Sequence, residues 1–182
     1  VSVDAKNGSA TIVSANDTDG DLNVTTVGTV ANNLTITNLK NGTANKIHFD
    51  KNLKAGGDIT ITNEEADIEV AIGSTLEAKN VSLVAENNAV KVTGGMVTAT
   101  ETVNAKANDI TMNDGTLQAG TKTTLTAGNA INQTAGSIIS KDTVAKAGKD
   151  ISLAGKTNKL QNVSVDAQNG SATIVSADDE DG

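Results

Sequence analysis

Five stretches share one spelling: Val81-Ser-Leu-Val-Ala85, Val103-Asn-Ala-Lys-Ala107, Thr123-Thr-Leu-Thr-Ala127, Thr143-Val-Ala-Lys-Ala147 and Val163-Ser-Val-Asp-Ala167. In each, small or branched residues take positions i, i+2 and i+4, and the closing alanines step by 22, 20, 20 and 20 residues. Period-two alternation puts one set of side chains on one side of an extended strand. A fixed step of this size is the mark of a solenoid. Two further series run beside the first. One follows a glycine: Gly95 then Val97 and Ala99, Gly115 then Leu117 and Ala119, Gly136 then Ile138. The other, aliphatic–polar–aliphatic before a turn, recurs near Ile12, Leu34, Ile59, Val90, Ile110, Ile131, Ile151 and Ile174.

Three short strands per step, each bounded by Asn, Asp or Gly, predict an all-β chain: a parallel β-helix of about eight turns, with about 20–22 residues per turn. Helical repeats need a 3.6-residue period, which is absent, as is the Leu-x-x-Leu-x-Leu signature of leucine-rich repeats. No single turn buries enough to fold alone, because one Ile, Leu or Val contributes only ~1.5–3 kcal/mol on full burial. Stability therefore has to come from stacking on neighbours. Small alanines let corners approach. Asn and Gly suit left-handed turn positions, and stacked Asn residues are expected to form amide ladders.

In the third series two steps are long: 25 residues from Leu34 to Ile59, and 31 from Ile59 to Val90. The surplus predicts outward loops around 40–46 and 63–72, with Lys40, Asn41, Asn45, Glu64, Glu65, Asp67 and Glu69 as contact residues, since solenoid insertions go to loops on one face. A larger repeat encloses all of this. Residues 1–20 return as 163–182 with only Lys6/Gln168, Asn16/Asp178 and Thr18/Glu180 exchanged. One complete unit therefore spans 1–162 and the next opens at 163, with seven turns and about 34 Å expected per unit. The recurrence implies further copies, or a segment cut so as to include the join.

Composition narrows function. The 182 residues carry a net charge of −8, a single aromatic (Phe49), a single histidine (His48), and no Cys, Pro, Trp, Tyr or Arg. There is no thiol chemistry and no His-rich metal site, and no cationic or aromatic surface for nucleic acid. No apolar run reaches the length of a membrane span. A polysaccharide-active β-helix enzyme is the alternative class, but Arg and sugar-stacking aromatics are missing. His48 has no Ser or Cys beside it and reads as a solvent-facing strand residue next to Phe49. An ice- or crystal-binding surface would need Thr-x-Thr columns. Thr35/Thr37 and Thr60/Thr62 align, but the equivalents then read Lys91/Thr93 and Thr111/Asn113.

The acidic turn Asp17-Thr-Asp19-Gly-Asp21 and its copy around Asp179 and Asp181 is the one metal candidate. Calcium favours clustered carboxylates, but Ala15 and Ala177 occupy the position where a calcium loop begins, which favours a solvated acidic turn. No catalytic residue and no cofactor are assigned. Gly56-Gly57 and Gly94-Gly95 lack the Gly-Lys-Ser/Thr of a phosphate loop. Nine Asn-x-Ser/Thr sequons are present, partly through the duplication.

Ala55-Gly-Gly-Asp-Ile-Thr-Ile61, Ala147-Gly-Lys-Asp-Ile-Ser-Leu153 and Gly115-Thr-Leu-Gln-Ala-Gly-Thr-Lys-Thr-Thr-Leu-Thr-Ala127 resemble the A-G-x-D-I-x-L segments of filamentous-haemagglutinin-type exoproteins. The resemblance covers most of residues 28–162 and is best from 73 to 162. It implies a right-handed parallel β-helix, a segment of the repetitive shaft of a large adhesin exported by two-partner secretion, and some such adhesins are glycosylated at sequons. The family's secretion domain is not recognisable here, and the 162-residue unit departs from its pattern. The expected role is a non-catalytic shaft outside the cell or on a bacterial outer surface. Its expected partners are other copies end to end or a cell-surface ligand.

Overall fold

The computed structural model describes residues 1–14, 20–25, 27–39 and 44–177. Every regular element among them is a β-strand, and all strand-to-strand pairings are parallel within one continuous sheet that winds on itself as a β-solenoid. Three columns of paired residues run the length of the stack, one on each face of the coil.

Asp4, Thr29, Lys54, Glu77, Thr98, Gln118, Ile139 and Lys159 are successive partners on the first face. Ile12, Ile36, Ile61, Leu83, Ala105, Leu125, Ala145 and Val165 follow one another on the second. Asn23, His48, Glu69, Lys91, Thr111, Asn132, Ser152 and Thr173 do so on the third. Each column has eight positions, so eight coils are stacked. The series from Val81 to Ala167 is one column set, as its spacing predicts; Gly115 and Gly136 begin first-face strands, and Gly95 immediately precedes one.

Alternation sorts side chains by burial. In Leu34–Asn38 and Asp58–Asn63 every second residue is buried, and the interior is mainly aliphatic: Leu34, Ile36, Ile47, Ile59, Ile61, Ile68, Leu76 and Leu83 are fully enclosed, with Phe49 as the largest insert. Core members that are only partly buried are Ala5, Ala10, Ile12, Leu160, Val165 and Ala167, all in the first or last coil, where one neighbour is missing. This is the nearest-neighbour stability of a repeat stack seen in the burial itself. In the C-terminal half the ladder follows the corners without a break, so that Thr75–Thr93 and Met96–Asn113 each run over more than one face, bending where the register shifts at Ala78/Asn80 and Ala85/Ala89.

Three expectations need correction. The 31-residue step from Ile59 to Val90 is not one coil with an insertion. Ile59 pairs with Val81, and Val90 pairs with Ile68. The step is one coil plus a change of face, and Ile68–Val70 is a buried core strand rather than part of an outward loop. Left-handed backbone is also not an asparagine feature among the described residues: φ is 57° at Asp114 and positive at Gly20, Gly73, Gly94 and Gly136. Gly136 has a second reason to be glycine, since a Cβ there would lie 2.0 Å from the Gly115 carbonyl oxygen. Finally, the threonines stacked on Thr35 and Thr60 belong to the second face, where the next partner is Ser82 and then Asn104 and Thr124, not Lys91 or Thr111.

Candidate contact surface

Asp17, Asp19, Asp179, Asp181, Lys40 and Asn41 lie outside the described residues. Asp21 lies within them, and its Oδ1 accepts a hydrogen bond from Lys46 N at 2.9 Å. The same arrangement recurs at every second coil. Asp67 Oδ1 accepts from Ala89 N at 2.8 Å, Asp109 Oδ1 from Ala130 N at 3.3 Å, and Asp150 Oδ1 from Ser171 N at 2.8 Å. All four aspartates stand immediately before the third-face strand. Each caps the backbone donor at the same position one coil on, which the corner would otherwise leave without a ladder partner. Asp21 is thus one of a row of inter-coil caps. Among the described residues no group of three or more His, Cys, Asp or Glu is gathered as a metal site.

The residues of the 63–72 segment separate into two environments. Asn63 is buried. Its Oδ1 accepts from Glu65 N and Ala66 N, and its Nδ2 donates to the carbonyls of Asn45 and Asp67. The corner Glu64–Asp67 is therefore wound on an internal amide. Asn45 is itself buried, and its carbonyl also receives Asn38 Nδ2, so it is part of the interior and not of a contact loop. Glu64 faces solvent beside a shallow cleft of about 410 Å³ lined by Thr62, Asn63, Glu64, Val84, Glu86 and Asn87.

Asp67 and Glu69 face outward next to cations from adjacent coils. Lys91 Nζ donates to Asp67 Oδ2 at 2.6 Å. Glu69 Oε2 is 3.2 Å from His48 Nδ1 and 3.8 Å from Lys46 Nζ. Lys54–Glu77, Lys79–Glu101 and Lys106–Glu86 repeat the theme, each pair joining one coil to the next. Alternating charge on an outward column clamps like-spaced strands and avoids the repulsion that identical stacked charges would bring. His48 sits outward and Phe49 inward, as their neighbouring positions in one strand require.

Burial raises the Asp67 pKa, but the hydrogen bonds from Lys91 and Ala89 and the charges of Lys91 and Lys46 outweigh it and hold the carboxyl below the usual aspartate range. The Asp67 hydrogen bond raises the Lys91 pKa against a smaller desolvation effect. A depressed folded-state carboxyl contributes stability that is complete above the ordinary aspartate range and is lost as pH falls through it. A raised lysine contributes stability that is complete below the ordinary lysine range and is lost above it. Asp67→Asn should therefore lower the urea midpoint at pH 7 while narrowing the gap between the pH 7 and pH 3 midpoints. An unchanged gap would remove Asp67 from the acid response.

Two buried amide pairs escaped sequence reasoning. Asn38 Nδ2 donates to Asn63 Oδ1 at 3.0 Å, and these residues are direct partners in adjacent coils. Gln133 and Asn158 exchange two hydrogen bonds, of 2.8 and 2.9 Å, with both side chains fully enclosed. They are isolated pairs rather than ladders, and they lie inside the solenoid rather than at its corners. No helix among the described residues is long and apolar enough to cross a membrane. The chain matches no protein-family model, no curated protein and no solved structure.

Proposed function

We propose that this chain is a segment of a structural shaft, part of a large exported protein of a bacterial surface or extracellular filament, and that it resembles the repetitive region of filamentous-haemagglutinin-type adhesins. The observation that carries the reading is the use of the polar side chains. From the second coil to the seventh, carboxylates, lysines and amides are directed to the next coil, as in Lys54–Glu77, Lys91–Asp67, Asn129–Asp109 and Asn162–Asp142. Such a surface holds length and resists fraying. The role is to carry a binding region away from the cell or to pack beside other shafts, with cell-surface ligands or other copies as partners.

A shaft of this kind tolerates removal of a coil. Thr111 pairs with Asn132, so deleting residues 111–131 rejoins Ile110 to the residue that replaces Thr111 in the next coil. The shortened chain should fold cooperatively into a rod about 4.8 Å shorter by small-angle scattering. Deleting 111–120 instead breaks the register and should unfold it. Global unfolding of the 111–131 deletion would defeat the shaft reading. Antibodies to the folded segment should also label intact producing cells, and labelling only after permeabilisation would exclude surface export.

A further inference from the structure

The 20-residue duplication and the coil do not keep step. Asp4 stands in the first-face column, directly below Thr29. Its copy, Asp166, stands in the second-face column, above Lys146. Thr11 is on the second face with Thr35, and its copy Thr173 is on the third with Ser152. Seven coil steps carry Asp4 to Lys159 in its own column, and Asp166 lies one face beyond.

We propose that the 162-residue unit spans seven and one-third coils, so that each successive unit is turned by one face and presents the same exposed residues on the next side of the shaft. The sequence permits this because the faces share one grammar. Val165 is partly buried against the core in register with Ala145, and Ile174, exposed in the last coil, is in register with the buried Leu153. The first copy does the same elsewhere, with Val3 buried and Ile12 on Ile36. The polar residues between the strands change role with position. Ser9 Oγ accepts from Asn33 N, whereas its copy Ser171 donates its own N–H to Asp150.

The consequence is an interaction surface with screw symmetry. Each unit rises about 35 Å, and the pattern returns to its first face after three units, about 105 Å on. Each exposed stretch of the repeat is then displayed on the three sides of the shaft in turn. This consequence rests on the shaft reading, but the phase itself rests only on the registers.

The chain has no cysteine, so paired cysteines report the phase directly. Parallel neighbours about 4.8 Å apart fall within disulfide range. Under the proposal, K146C/D166C and S152C/T173C lose their free thiols on mild oxidation. I139C/D166C and V144C/T173C, the pairs that a whole number of coils per unit would bring together, keep theirs. N104C/T124C, adjacent within the shaft, is the positive control. The reverse pattern, or closure of the control alone, overturns the phase while leaving the coil-deletion result, and with it the shaft reading, untouched. An antibody fragment against the segment Asn7–Ile12 should bind each chain twice, with the two fragments projecting about a third of a turn apart in electron micrographs. Fragments projecting from the same side would refute the display.

Discussion

Asn158→Leu is expected to lower the unfolding free energy by at least about 3 kcal/mol, seen as a fall in the urea midpoint and as loss of hydrogen-exchange protection in the last three coils. Asn158 is fully enclosed. Its Oδ1 accepts from Gln133 Nε2 at 2.8 Å and Ile138 N at 2.7 Å. Its Nδ2 reaches Gln133 Oε1 and the carbonyls of Leu153 and Val175 at 2.9, 3.2 and 3.1 Å. Leucine preserves the volume and removes every one of these contacts. What it leaves behind is costly: an enclosed glutamine amide and unpaired backbone groups, each worth ~1–3 kcal/mol. The double variant Gln133→Leu/Asn158→Leu should recover part of the loss, because both halves of the amide pair then leave together. Additive losses in the double variant would show that the two amides act separately.

Phe49→Ala should cost about 3–5 kcal/mol. Phe49 fills the interior between Val24 and Val70, its partners in the coils on either side, and all three are fully enclosed. In most cores a cavity of this size partly collapses. Here the coil spacing is set by parallel ladders above and below, so the walls cannot close along the axis. The loss falls on one inter-coil contact in a stack held by nearest neighbours. The first two coils should therefore detach before the rest, giving early proteolytic cleavage near residues 44–52 and a resistant core that begins beyond them. Phe49→Leu should cost under about 1.5 kcal/mol. A single cooperative transition in the alanine variant, with no resistant fragment, would show that the coils melt as one unit.

From Val81 onward the alanine column was legible because its coils are nearly equal in length, and a constant step leaves a single alignment. Between Ile59 and Val90 the coils are uneven, and one aliphatic–polar–aliphatic segment looks like another whichever face it occupies. The series therefore crossed from the second face to the third unnoticed. That crossing produced both the supposed insertion at 63–72 and the whole number of turns assigned to the 162-residue unit. The contact residues divided for a similar reason. Asn45 and Asn63 have corner-like surroundings in sequence, yet both are buried, because an amide inside a solenoid can serve backbone donors and acceptors of two coils. Asp21 looked like part of an acidic cluster, while its partner is the backbone of Lys46, 25 residues away.

The sequence by itself determined the architecture, since period-two strands recurring every 20 residues or so can bury their apolar side only by stacking on themselves. It also determined the unit, because residues 1–20 return at 163–182. Tertiary structure alone decided which residues share a face, which polar groups lie inside, and that the unit and the coil are out of step. The physical reason is that period two specifies only inward or outward. The three faces differ solely in the neighbour above and below, and that neighbour is chosen by hydrogen-bonded register between residues 20 to 25 positions apart.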